Sequence, residues 1–214
     1  MRNKFDVQLS SLNTEMIEMG NQIVKSIAMA IEALANCDSE LAQTIIEGDS
    51  QIDQRQKKIE GICFQLLIQQ QPVARDLRTV TAAMKMVTDM ERIGDHAADI
   101  SEMTIQMGTN NHIDRFEHIK KMANETMLML NHCIEAYVER DSKKAEEVIA
   151  HDDVVDALFE QAKRDIIDLI LENSKEGEEA TDLLMVAKYF ERIGDHATNI
   201  AEWVIYSLRT SEEA

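Results

Sequence analysis

Apolar residues return every three or four positions along almost the whole chain, the period of α-helices with one buried face. From Phe5 to Asn36 the spacing is kept by Leu9, Leu12, Met16, Met19, Ile23, Ser26, Ala30 and Ala33, with Ile27 and Leu34 widening the stripe. Asp38 and Ser39 break it and offer oxygens that cap a helix start. A second helix is predicted from Glu40 to Gln70, with Leu41, Ile45, Ile52, Ile59, Ile62, Leu66 and Leu67 turned inward. Pro72 falls in the first turn of a third helix or in the loop before it, and that helix runs to Met107. Gly108 to Asn111 reads as a linker. Beyond it the pattern predicts helices over Asp114–Glu139, Lys143–Glu172 and Glu178–Leu208, with Asn173–Gly177 as a loop. No stretch alternates with the period of a strand.

The two halves repeat one another. Residues 91–97 and 191–197 are the same seven letters, Glu-Arg-Ile-Gly-Asp-His-Ala. Asp38, Ser39, Ala42, Ile46, Asp49 and Asp53 return 103 positions later as Asp141, Ser142, Ala145, Ile149, Asp152 and Asp156. The fall in offset from 103 to 100 shortens one connection of the second half by about three residues. Three amphipathic helices joined by short turns bury their stripes most simply in a three-helix bundle. The expectation is an all-α chain of two tandem, pseudo-symmetric three-helix bundles, residues 1–108 and 109–214.

Composition agrees. The chain is 44% hydrophobic, enough for a core, with one proline and seven glycines in 214 residues, as long helices require. A net charge of −18 argues against nucleic acid as a partner, since phosphate attachment needs clustered Lys and Arg. Cys37, Cys63 and Cys133 form neither a disulfide framework nor a zinc spacing, which suits a reducing compartment. No signal peptide opens the chain and no apolar run reaches membrane-span length. The expected location is cytoplasmic, without membrane insertion.

The candidate chemistry lies in four acidic pairs at i, i+4: Glu91/Asp95 and Asp49/Asp53, then Glu191/Asp195 and Asp152/Asp156. On a helical wheel Glu91, Asp95, Asp99 and Glu102 fall within about 80° of one another, nearly opposite Met86, Met90, Ile93, Ala97 and Ile100. Like charges at this spacing cost a helix a few tenths of a kcal/mol per pair. One reading makes them solvated faces, with Arg92 and Arg192 relieving repulsion. The other brings the pairs of adjacent helices together as oxygen ligands for a metal. His96 and His196 lie beside the apolar sector and read as boundary histidines with hydrogen-bond partners. Gly94 and Gly194 stand mid-helix, where a close helix approach would explain them. The methionines read as core filler. There is no Glu-x-x-His pair, no phosphate-cradling glycine loop and no base beside a cysteine, so no catalytic residue is assigned. A carboxylate-bridged metal-dependent hydrolase, or a metal-storage helical protein, is the alternative class.

These marks carry a resemblance. Asp49 and Asp53, the stretch Pro72-Val-Ala-Arg-Asp-Leu-Arg78 and the twin Glu-Arg-Ile-Gly-Asp-His-Ala stretches, over nearly the full length, resemble the PhoU family of phosphate-signalling regulators. The resemblance implies a non-enzymatic cytoplasmic regulator of phosphate uptake. It would link the ATPase subunit of a phosphate ABC transporter to a membrane sensor histidine kinase and restrain the kinase when phosphate is plentiful. It would be a homodimer held at the inner face of the membrane only through its partners. The resemblance also implies surface clusters of iron or zinc, on Glu91, Asp95, Asp49 and Asp53 in one half and on Glu191, Asp195, Asp152 and Asp156 in the other. Two departures from internal symmetry stand out. Asp99 is answered by Asn199, lowering the charge of the second cluster. Arg75, Asp76 and Arg78 have no counterpart before the sixth helix; they read as a helix-start salt-bridge cluster or as a surface specific to one half.

Overall fold

The structure, a computed structural model, describes residues 2–108 and 117–209. Six long helices form two three-helix groups: α1 (Arg2–Asn36), α2 (Ser39–Gln70) and α3 (Arg75–Met107), then α4 (Glu117–Glu139), α5 (Ser142–Glu172) and α6 (Gly177–Leu208). The α1–α2 and α4–α5 turns are built alike. Cys37 (φ 53°) and Arg140 (φ 59°) take the left-handed conformation that ends a helix, and the next amide bonds back to the last turn, Asp38 N to Ala33 O and Asp141 N to Ala136 O, both 2.9 Å. That is the Schellman arrangement. The same aspartates then cap the following helix: Asp38 accepts from Leu41 N, and Asp141 from Lys143 N and Lys144 N. One residue thus closes one helix and opens the next.

Boundaries differ from expectation where turn geometry intervenes. Pro72 lies in the loop, and Gln71 (φ 46°) and Ala74 (φ 48°) delay α3 to Arg75. The loop after α5 contains a 3-10 turn, Ser174–Glu176, which a three-residue element is too short to announce by periodicity. Gly108 ends α3 at φ 61°; the rest of the predicted linker and the predicted start at Asp114 fall outside the described residues.

One apolar core runs through all six helices. Leu12, Met16, Met19, Ile23, Met86, Met90, Ile93, Ala97 and Ile100 are fully buried. In α2, Ala42 and Cys63 are fully buried, whereas the predicted Leu41, Ile62 and Leu67 pack against the core from its edge. The two groups meet through α3 against α6 and α1 against α4. Across the α3–α6 seam Asp89 reaches His196 and Asn199, while His96 meets Tyr189. Those pairings require α3 and α6 to run antiparallel, crossing near Arg92 and Arg192. The twin stretches therefore straddle a pseudo-twofold axis.

Candidate metal centre

The carboxylate pairs meet where α2 packs on α3 and α5 on α6. A glycine makes each approach possible. A Cβ at Gly94 would stand 3.0 and 3.1 Å from Ile52 and 3.5 Å from Asp49 Oδ1; one at Gly194 would stand 3.1 Å from Asp152 Oδ1 and 3.3 Å from Val155. The mid-helix glycines thus let each neighbouring aspartate lie against the partner helix backbone.

In the first half Asp49, Asp53 and Asp95 each bring one oxygen to within 4.8 Å of the others, and among the described residues no other group does so. Asp49 Oδ1 is buried without a hydrogen-bond partner. Burial, then the charges of Asp95, Asp53, Glu91 and Asp99, push the Asp49 carboxyl up to about 6. Glu91 is raised as well, by burial and Asp95, with Arg92 pulling the other way. Arg92 is the rim cation, 2.9 Å from Asp95 and 3.6 Å from Glu91.

The second half is built to the same plan but compensated differently. Burial, then Asp156 and Asp195, lift Asp152 to about 6, with Thr198 relieving part of the rise. Asp195 is raised by burial and Glu191 and lowered by Lys188. Lys188 is ion-paired with Glu191. The equivalent position in α3 is Thr88, whose hydroxyl bonds to Met84 O of its own helix. So Asp152, Asp156 and Asp195 share a seam without closing to ligand spacing, and Glu191 already has its cation.

The first cluster fits a metal ion by its own chemistry. It offers converging oxygens, one of them buried and unsatisfied, and carboxyls whose repulsion a cation would remove. The donor set holds no nitrogen or sulfur, which favours a hard cation over zinc. Asp49, Asp53 and Asp95 would hold it, with Glu91 beside them.

The histidines take no part. His96 Nδ1 lies 3.1 Å from Asp99 and His196 Nδ1 2.9 Å from Asp89, and the two rings meet at 5.7 Å between centroids. Burial holds His96 below the usual imidazole range, against the pull of its bond to Asp99. Around them Arg92, Arg192, Asp195, Thr198 and Asn199 line an open groove of about 650 Å³. Asn199 donates to Asp89 at 3.3 Å, so the exchange of Asp99 for Asn199 serves the seam between the halves. Sequence reasoning missed Asp89, Lys188 and Thr198; comparing residues 88, 89 and 98 with 188, 189 and 198 exposes all three as broken symmetry. The helix-start salt-bridge cluster expected of Arg75, Asp76 and Arg78 does not form: among the described residues none of the three side chains has an ion pair.

Residues 16–104 and 119–204 each match the PhoU domain. The chain is 39% identical to the phosphate-specific transport system accessory protein PhoU homolog of Clostridium acetobutylicum, over 97% of this chain and 95% of that one. It superposes on the crystal structure of PhoU from Pseudomonas aeruginosa with a TM-score of 0.90 at 31% identity, covering 96% of this chain and 99% of that one. For the phosphate transport system regulatory protein PhoU from Streptococcus pneumoniae the TM-score is 0.88 at 30% identity, covering 95% and 96%.

Proposed function

This chain belongs to the PhoU family, and on that premise we propose that it is a non-enzymatic regulator of phosphate uptake and phosphate-starvation signalling. It links the ATPase subunit of a phosphate ABC transporter to a membrane sensor histidine kinase and restrains the kinase when phosphate is plentiful. The observation that carries this reading is the full-length likeness to proteins named as accessory and regulatory components of phosphate transport. No helix among the described residues is long and apolar enough to cross a membrane, which is compatible with a cytoplasmic homodimer that reaches the membrane through its partners. The halves 1–108 and 109–214 are its two repeats, packed on one shared core.

The action is a coupling of binding equilibria, in which one partner changes the affinity for another. A cation at Asp49, Asp53 and Asp95 would supply charge neutralisation at the α2–α3 seam. Glu91 and the rim cation Arg92 frame that seam, and Gly94 sets its width. The cluster of Asp152, Asp156, Glu191 and Asp195 is the second metal candidate, weaker because Lys188 already neutralises Glu191. The donor set is all oxygen, which favours a hard cation over zinc.

The test is a phosphate-starvation reporter in the native host grown with abundant phosphate. Deleting the gene should derepress the reporter and restoring the chain should silence it. A reporter indifferent to the deletion would remove the proposed role.

A further inference from the structure

We propose that Lys188 is a tethered cation standing in for a metal ion at the second acidic cluster, so that the chain loads a divalent cation in its first half only. The inference rests on the reading of the first cluster as a metal centre and is independent of the regulatory role. Both clusters are built from one Glu and three Asp: Asp49, Asp53, Glu91 and Asp95, then Asp152, Asp156, Glu191 and Asp195. Beside them two exchanges have been made. Thr88 of α3 is answered by Lys188 of α6, and Gln56 of α2 by Phe159 of α5. The two new residues touch. Lys188 Nζ lies over the Phe159 ring, 5.5 Å from its centre, and is ion-paired with Glu191 one turn along α6.

Each contact fixes the ammonium from one side of the α5–α6 seam. Phe159 holds it from α5, through its ring face. Glu191 holds it from α6, and that carboxylate is mostly buried, its side chain 17% exposed. Phe159 lies one turn beyond Asp156 and Glu191 one turn before Asp195, so the charge is set among the cluster carboxylates. Arg192, in the place of Arg92, makes no ion pair among the described residues; Lys188 has taken over the neutralisation of Glu191. The first half has nothing equivalent. Thr88 is exposed and its hydroxyl bonds to Met84 O of its own helix at 3.3 Å. Arg92 sits on the rim, 2.9 Å from Asp95, and behind it Asp49 Oδ1 is buried without a partner. Among the described residues only the first cluster closes to ligand spacing.

An ammonium and a divalent ion compete for the same oxygens. Metal entering the second cluster would have to displace Lys188 from Glu191 and then meet its positive charge at close range. The ammonium is attached to the chain, so its local concentration is fixed, whereas metal must be drawn from solution. The α5–α6 seam is therefore neutralised at every metal level, and the α2–α3 seam only when metal is bound. Two halves of one architecture thus differ in what they respond to.

The experiment is titration of the full chain, stripped with chelator, by manganese(II), read by calorimetry and by loss of the free ion's paramagnetic resonance signal. Wild type should bind at the first cluster alone, so Asp49→Asn should weaken binding at least tenfold. Lys188→Thr should gain a second site, retained when Asp49→Asn is added and lost with Asp152→Asn. Lys163→Thr, which takes the same charge from a surface pair with Glu160, should bind as wild type. Moving the pair across, Gln56→Phe/Thr88→Lys should weaken binding at the first cluster at least tenfold. Wild-type binding that survives Asp49→Asn at full strength, a folded Lys188→Thr that gains no site, or a folded Gln56→Phe/Thr88→Lys that binds as wild type would each overturn the proposal. A wild type that binds no manganese beside a Lys188→Thr that binds it would instead remove the metal reading of the first cluster and keep Lys188 as the excluding cation.

Discussion

A carboxylate four residues from another is ordinary; a carboxylate with an unsatisfied buried oxygen among three others is not. Asp49 holds its proton up to about pH 6, against an ordinary value of 3.8. The folded state therefore carries more protons than the unfolded state between those values, and this group's contribution to stability falls as pH rises through that window and stays low above it. In metal-free protein Asp49→Asn should be more stable than wild type by about 1–2 kcal/mol above pH 6, after allowance for solvent screening. The difference should shrink towards zero near pH 4; paired thermal melts across that range would check it. Addition of a divalent cation at neutral pH should reverse the order, since only wild type keeps the complete ligand set. A variant no more stable than wild type at pH 7 in chelator would mean that the cluster is not strained. At this scale sequence was a partial guide. It located the acidic pairs because i, i+4 spacing fixes a helix face. It could not show that Asp49 Oδ1 would be buried without a partner, because that depends on how α2 packs on α3.

Helix by helix, the period of the apolar residues was enough to place six elements, since each buries one stripe, and an aspartate marks the start of α2 and of α5. What periodicity could not supply was the turn chemistry, where Cys37, Gln71, Ala74 and Arg140 take left-handed conformations that their residue types do not advertise. Glycine was the better signal. A Cβ at Gly48 or Gly61 in α2 would meet nothing within 4 Å, so Gly48→Ala and Gly61→Ala should each stabilise the protein by about 0.5–1 kcal/mol through helix propensity. Gly94→Ala meets the fully packed Ile52 instead. There the clash should cancel the propensity gain and push Asp49 off its place. Urea unfolding of the three variants measures the contrast, and a Gly94→Ala protein as stabilised as Gly48→Ala would refute the close approach as the reason for glycine.

Across the whole molecule the controlling feature is a core shared by both helix groups. Because α1, α3, α4 and α6 pack across the seam, opening one group strips apolar cover from the other, and unfolding should be a single cooperative transition. Calorimetric and van't Hoff enthalpies should agree; two resolved transitions would mean that the halves unfold separately. The seam is also where polar specificity concentrates. Asp89→Asn leaves His196 with a neutral partner and should cost about 1–2 kcal/mol, measurable in the same melts.

The pseudo-twofold crossing of α3 and α6 has a consequence for ancestry and divergence. A half-length ancestor would have had to find its mate by diffusion, and every substitution would have appeared on both sides of the axis. Joining the copies end to end makes their encounter intramolecular, so assembly no longer depends on how much protein the cell makes. It also frees each side to be edited alone. Lys188 in the place of Thr88, Tyr189 in the place of Asp89 and Thr198 in the place of Ala98 are edits that no pair of identical chains could hold.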